Sequence, residues 1–177
     1  MFDLSPETFC NSLVGVSIRT PLLMSFEFMP RMAPLSNEIQ ADFQQIARLY
    51  KQNSWDFDLS KIRQFIKNPA HALVVTDSLE RIEWVNQGFV SMTGYEAKEA
   101  LRKSPKFLQG GQTNLTTRQQ IRSKIVANQT YDGVILNYRK SGEPYWCKVE
   151  IAPIFDKSQQ LVNYIAFERE VLKNHQN

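Results

Sequence analysis

The chain has 177 residues, with 21 Lys and Arg against 18 Asp and Glu, 2 cysteines, 42% hydrophobic and 11% aromatic residues. This composition excludes wholesale disorder, and two cysteines far apart in sequence form neither a disulfide framework nor a zinc site. No apolar run approaches the roughly 18 residues of a membrane span, and Met1–Glu7 lacks a basic segment followed by an apolar core. The chain is therefore expected to be soluble and cytoplasmic, with no membrane partner. The net charge of +3 is unevenly placed: between Lys98 and Lys124 seven basic side chains face Glu99 alone. Such a stretch either meets a phosphate or an acidic partner, or is a solvated face. Nucleic acid is not expected, because the stretch carries no helix-turn-helix pattern, no zinc spacing and no RNP-like aromatic motif.

In chain order, Ser5-Pro6-Glu7 predicts a short helix running toward Gly15. An irregular apolar segment with Pro21, Pro30 and Pro34 follows. Ser36 caps a clearer helix, in which Ile39, Phe43, Ile46 and Tyr50 form one apolar stripe. That stripe packs within the chain or dimerises. Asp58 caps another helix, with Leu59, Ile62, Phe65 and Ile66 inward, and Asn68-Pro69 ends it. From Ala72 the period changes. Leu73–Thr76 reads as a buried strand, Asp77–Glu80 as a turn, and Ile82 and Trp84 alternate in a second strand. Short helices follow, one ending at Gly94 and one near Glu96–Arg102, before Pro105 interrupts. A longer helix near Thr117–Asn128 is expected to turn Ile121, Ile125 and Val126 inward. Strands over 131–139, 144–155 and 160–171 close the chain, joined by turns at Lys140–Glu143 and Asp156–Gln159. Two strands, several helices and a three-strand meander predict an α+β domain: one antiparallel sheet with helices over one face.

Alternate strand residues share a face. One face of the meander holds Ile135 and Asn137, then Tyr145, Cys147, Val149 and Ile151, then Val162, Tyr164, Ala166 and Glu168. The other is mixed, with Lys148 and Glu150 in its middle strand. The first set is expected under the helices, and it places Asn137, Cys147 and Glu168 among apolar residues. Unpaired, such groups cost about 1–3 kcal/mol each. Either they pair within the protein, or they face a ligand in a pocket between sheet and helices.

Several segments resemble a known family. Val74-Val75-Thr76-Asp77, Trp84-Val85-Asn86-Gln87-Gly88-Phe89 and Met92-Thr93-Gly94-Tyr95 resemble the opening of a PAS domain. Pro105–Gly110, Leu136–Gly142 and Tyr145-Trp146 resemble its light-oxygen-voltage (LOV) branch. The match covers about residues 70–172, which divides the chain into an N-terminal helical extension (1–68), the domain (69–172) and a tail (173–177). The resemblance implies a five-stranded antiparallel PAS sheet with short helices over one face. It also implies a flavin site in which Gln109 and Asn137 hold the ring while Lys106 and Arg122 hold the phosphate. Asn86 joins the candidate contacts. Cys147 stands where flavin-binding relatives have an asparagine, and Glu168 where they have a glutamine.

The reactive Asn-Cys-Arg of the LOV branch reads Ser104-Pro105-Lys106 here, so the usual cysteinyl-flavin adduct is not expected. The two histidines, His71 and His175, lie outside the central helices and argue against heme. No nucleophile triad, Walker loop or metal cluster is visible, so no enzymatic activity is expected. Two readings remain. The first is a sensory module that binds a small ligand or a signalling protein partner, itself included as a homodimer, and relays a change through its flanking helices. The second is a flavoprotein carrying FMN or FAD that works by flavin reduction.

Overall fold

The computed structural model describes residues 36–172. The helix expected toward Gly15, the proline-bearing segment, Cys10 and the tail lie outside these residues.

Helix α1 (Asn37–Gln52) begins where the Ser36 hydroxyl accepts from the Ile39 amide, and α2 (Leu59–Phe65) where Asp58 accepts from the Ser60 amide. Both caps are legible in the sequence. Strands β1 (Ala72–Asp77) and β2 (Ile82–Val85) come next, then α3 (Gln87–Thr93) and α4 (Ala97–Ala100). Gly94 ends α3 at φ 73°, a left-handed C-cap conformation that favours glycine. Pro105 does not merely interrupt: it opens a 3₁₀ turn, Pro105–Leu108. Helix α5 (Leu115–Val126) starts two residues before the expected Thr117, because Asn114 Oδ1 accepts from the amides of Thr116 and Thr117 at 2.7 and 3.2 Å. Strands β3 (Tyr131–Tyr138), β4 (Pro144–Phe155) and β5 (Leu161–Val171) close the chain.

The five strands form one antiparallel sheet in the order β2-β1-β5-β4-β3. Helices α3–α5 and the 3₁₀ turn cover one face, as expected. The face read as mixed is also covered, by α1 and α2. Ile39, Ile46, Trp55, Ile62 and Ile66 pack there on Leu73, Val75, Trp84, Ala152, Ile154, Ile165 and Phe167. The apolar stripe of α1 is thus core within the chain. Backbone pairing reinforces the seam, since Trp55 bridges Asp156 and the Asp56 amide donates to the Phe155 carbonyl at 2.8 Å.

Two expectations are corrected. Val126 is 74% exposed, because it comes one residue after the inward-facing Ile125, which with Ile121 defines the buried side of the helix, and so turns to solvent. Val162 packs with the α1–α2 side, next to an irregularity where the β4–β5 register shifts at Ile154/Phe155.

Removing side chain from this second layer should be costly. Ile46→Ala at the fully buried Ile46 should lower the unfolding free energy by about 2–5 kcal/mol. Leu79→Ala at the exposed turn should change it by under about 0.5 kcal/mol. Urea denaturation checks both, and equal effects would mean that α1 does not pack on the sheet.

Candidate functional site

Between the sheet and the helices lies a cavity of about 400 Å³, a size ordinary for small-molecule sites. Its sheet wall is Val74 of β1, Ile135 and Asn137 of β3, Val149 and Ile151 of β4, and Tyr164, Ala166 and Glu168 of β5. The residues from β3, β4 and β5 all belong to the face that parity assigns, whose other members, Tyr145, Cys147 and Val162, do not line the cavity. Leu108, Ile121 and Ile125 face the cavity from the helical side, and Leu115, 70% exposed, stands at the mouth.

Polar groups also line this largely apolar volume. Lys106, Arg118 and Arg122 line one region, where Lys106 is held 2.7 Å from Glu80. Arg118 donates to the Gly110 carbonyl, which fixes the loop after Gln109 against α5. That loop is tied down further by Thr113, whose hydroxyl donates to the Leu136 carbonyl at 2.6 Å. Arg122 makes no ion pair among the described residues. Gln109, Asn137 and Glu168 also line the cavity.

Of the seven sequence-predicted residues, Lys106, Gln109, Arg122, Asn137 and Glu168 come together on this one cavity. Asn86 does not line it. Its side chain accepts from the Leu73 and Phe89 amides and donates to the His71 carbonyl, which caps α3 and ties that helix to β1. Backbone amides thus fill both acceptor positions of its side-chain oxygen, and a backbone carbonyl takes one of its two amide hydrogens. Cys147 does not line the cavity either: it is fully buried in the sheet core, beside Glu168. Sequence reasoning missed Arg118, Ser104 and Tyr164 as site residues. The signal for Arg118 was present, since it lies four residues before Arg122 and therefore on the same side of a helix. Tyr164 ties the sheet wall to the end of α5, its hydroxyl 3.0 Å from the Ile125 carbonyl and 2.9 Å from Asn128 Oδ1.

Four buried side-chain polar atoms have no hydrogen-bond partner among the described residues: Ser104 Oγ, Arg118 Nε, Tyr145 OH and Glu168 Oε2. The residues bearing three of them line the cavity. Buried polar atoms are ordinarily paired, so three unpaired ones on residues around a single cavity depart from the usual pattern. Glu168 is the most buried of the three that line the cavity, at 5% exposure. Loss of solvation raises its carboxyl to about 7, with the neighbouring Cys147 thiol opposing in part. Burial and Glu168 together push the Tyr145 hydroxyl and the Cys147 thiol upward, so both stay neutral.

Comparison with known proteins agrees with this architecture. A family model described as PAS domain matches residues 70–172. Phototropin-1A of Oryza sativa subsp. japonica is 39% identical over 92 residues, 52% of this chain and 10% of the phototropin. A blue-light-activated histidine kinase of Brucella anthropi is 37% identical over 90 residues, 51% of this chain and 18% of the kinase. The chain thus spans less than a fifth of either relative. Among solved structures, the dark structure of the blue-light photoreceptor Aureochrome1 LOV superposes with a TM-score of 0.62 at 28% identity, covering 68% of this chain and 87% of that one. A light-oxygen-voltage domain whose mechanism was probed with a flavin analogue gives 0.61 at 27% identity, over 68% and 89% of the two chains.

The raised carboxyl has a stability consequence whose sign is fixed. Glu168 titrates near its ordinary 4.5 when unfolded and at about 7 when folded. The folded state holds the proton more tightly, so this contribution is full below pH ~4.5 and is lost as pH rises to about 7, on the order of 3 kcal/mol. Glu168→Gln removes the effect. Chemical denaturation should show the variant gaining on the wild type between pH 5 and 8, whereas a constant difference would mean that the carboxylate is solvated.

Proposed function

The chain belongs to the PAS domain family, and on that premise we propose that it is a sensory module with no catalysis of its own, in which the cavity takes a small ligand and the flanking helices pass its state to a signalling protein partner or a second copy. The observation that carries the ligand reading is the set of unpartnered polar atoms borne by residues around one cavity, Glu168 from the sheet and Ser104 and Arg118 from the helical side. The relay has a physical route. Asp42 of α1 accepts from the Gln87 amide at the start of α3 at 3.1 Å, and Gln45 of α1 accepts from the Trp84 indole at 2.8 Å. A shift of the helical cover therefore reaches α1 through hydrogen bonds as well as through the sheet.

The ligand favoured by these residues is a flavin, FMN or FAD. Arg122 and Arg118 suit its phosphate, while Asn137 and Gln109 offer donors and acceptors to the edge of a planar ring. The blue-light relatives and the structural neighbour probed with a flavin analogue support this assignment. A bound flavin would supply visible absorption and reversible electron uptake. No cysteinyl adduct is proposed with the described residues, because Pro105 stands on the cavity wall without a thiol and Cys147 is sealed inside the sheet.

Purified protein, or protein incubated with FMN, should show structured absorption at about 450 nm. Arg122→Ala should weaken FMN about tenfold and leave riboflavin, which lacks the phosphate, nearly unchanged. Fluorescence-quenching titrations check this. A protein that takes up neither flavin overturns the flavin assignment, and equal losses for both ligands overturn the role of Arg122.

A further inference from the structure

Glu168 is the least compatible group in the cavity for an oxidised flavin, and it is also the one most dependent on its proton. Its Oε2 is buried and unpartnered on the cavity wall. An ionised carboxylate can only accept hydrogen bonds, whereas a protonated carboxyl can donate one. The carbonyl oxygens and imine nitrogens of an oxidised isoalloxazine are acceptors, so they repel the ionised form and suit the protonated one.

The surroundings leave Glu168 as the titrating group. From β4 it meets Cys147 and Tyr145, both kept neutral. Arg139, just past β3, stacks 4.6 Å from the Tyr145 ring but is committed to Glu170 at 2.7 Å and to Glu143 at 3.4 Å. On the other side β1 supplies Ala72, opposite Glu168 in the ladder, and Val74, while α3 supplies Phe89 and Met92; none of these can carry charge. Lys106, Arg118, Arg122 and Glu80 line the cavity from the helical side and the β1–β2 turn, and Lys106 and Glu80 pair with each other.

We propose that ligand binding in this cavity is coupled to uptake of one solvent proton by Glu168, which makes Glu168 the residue that selects acceptor-edged heterocycles and ties their affinity to pH. The inference rests on reading the cavity as a flavin site. Burial holds the ligand-free carboxyl at about 7, which places the transition in the neutral range.

The test is FMN titration of the wild type and Glu168→Gln from pH 6 to pH 9. Gln is isosteric and keeps a donor at every pH. Dividing the wild-type Kd by the variant Kd at each pH removes any contribution from the FMN phosphate. That ratio should rise by about a hundredfold across the range, roughly tenfold per pH unit above 7. Calorimetry of the wild type at pH 8, in buffers of different ionisation enthalpy, should report close to one proton taken up per FMN, and the variant fewer. A flat ratio with no excess proton uptake overturns this inference alone. Absence of FMN binding by both proteins at every pH overturns the flavin reading and this inference with it.

Discussion

Everything in the described residues is organised around β5, the central strand, which must bury both of its faces. Toward the cavity it presents Tyr164, Ala166 and Glu168; toward α1 and α2 it presents Ile165 and Phe167. Phe167 is held by Phe65 in an edge-on contact at 5.0 Å and by Phe57 at 6.4 Å, with the Lys61 ammonium 4.8 Å above its ring. Neighbouring residues of one strand therefore touch the ligand cavity and the N-terminal layer.

The N-terminal layer is bonded to the sheet as well as packed on it. Asn163 of β5, 1% exposed, accepts from the Trp55 indole at 2.8 Å and from Asn53 at 2.9 Å. Its amide nitrogen donates to the Thr76 carbonyl and to Glu83. One buried amide thus joins the α1–α2 connection, β1, β2 and β5. Its full set of partners contrasts with the unpartnered atoms across the sheet. The back of the sheet is a completed structural joint, whereas the front keeps a cavity of about 400 Å³ between sheet and helices.

Much of this was legible in the residues. The caps at Ser36 and Asp58, the switch from helical to alternating periodicity at Ala72, and the parity of β3 to β5 depend on near neighbours, which a sequence displays. Parity also placed Asn137 and Glu168 on the cavity wall. What was not legible depends on tertiary partners. Asn86 and Cys147 occupy motif positions, but Asn86 is consumed by backbone groups near His71 and Leu73, and Cys147 by the sheet interior. Asn163 carried no local signal, because its partners lie 80 to 110 residues earlier in the chain. Val126 was misplaced because a hydrophobic residue adjacent to a stripe is not on it, and α5 is only weakly amphipathic. The cover over the second face required α1 and α2 to be placed in space, which periodicity alone does not do.

The central claim is that a ligand in the cavity is sensed at the N-terminal helices. Amide hydrogen exchange of α1 and α2, compared between ligand-free and FMN-saturated protein, tests it most directly. Altered protection is expected in both helices, strongest around Asp42, Gln45 and Trp55, together with slower exchange in β5. Saturation with FMN that protects only the cavity wall and leaves α1 and α2 unchanged would contradict it.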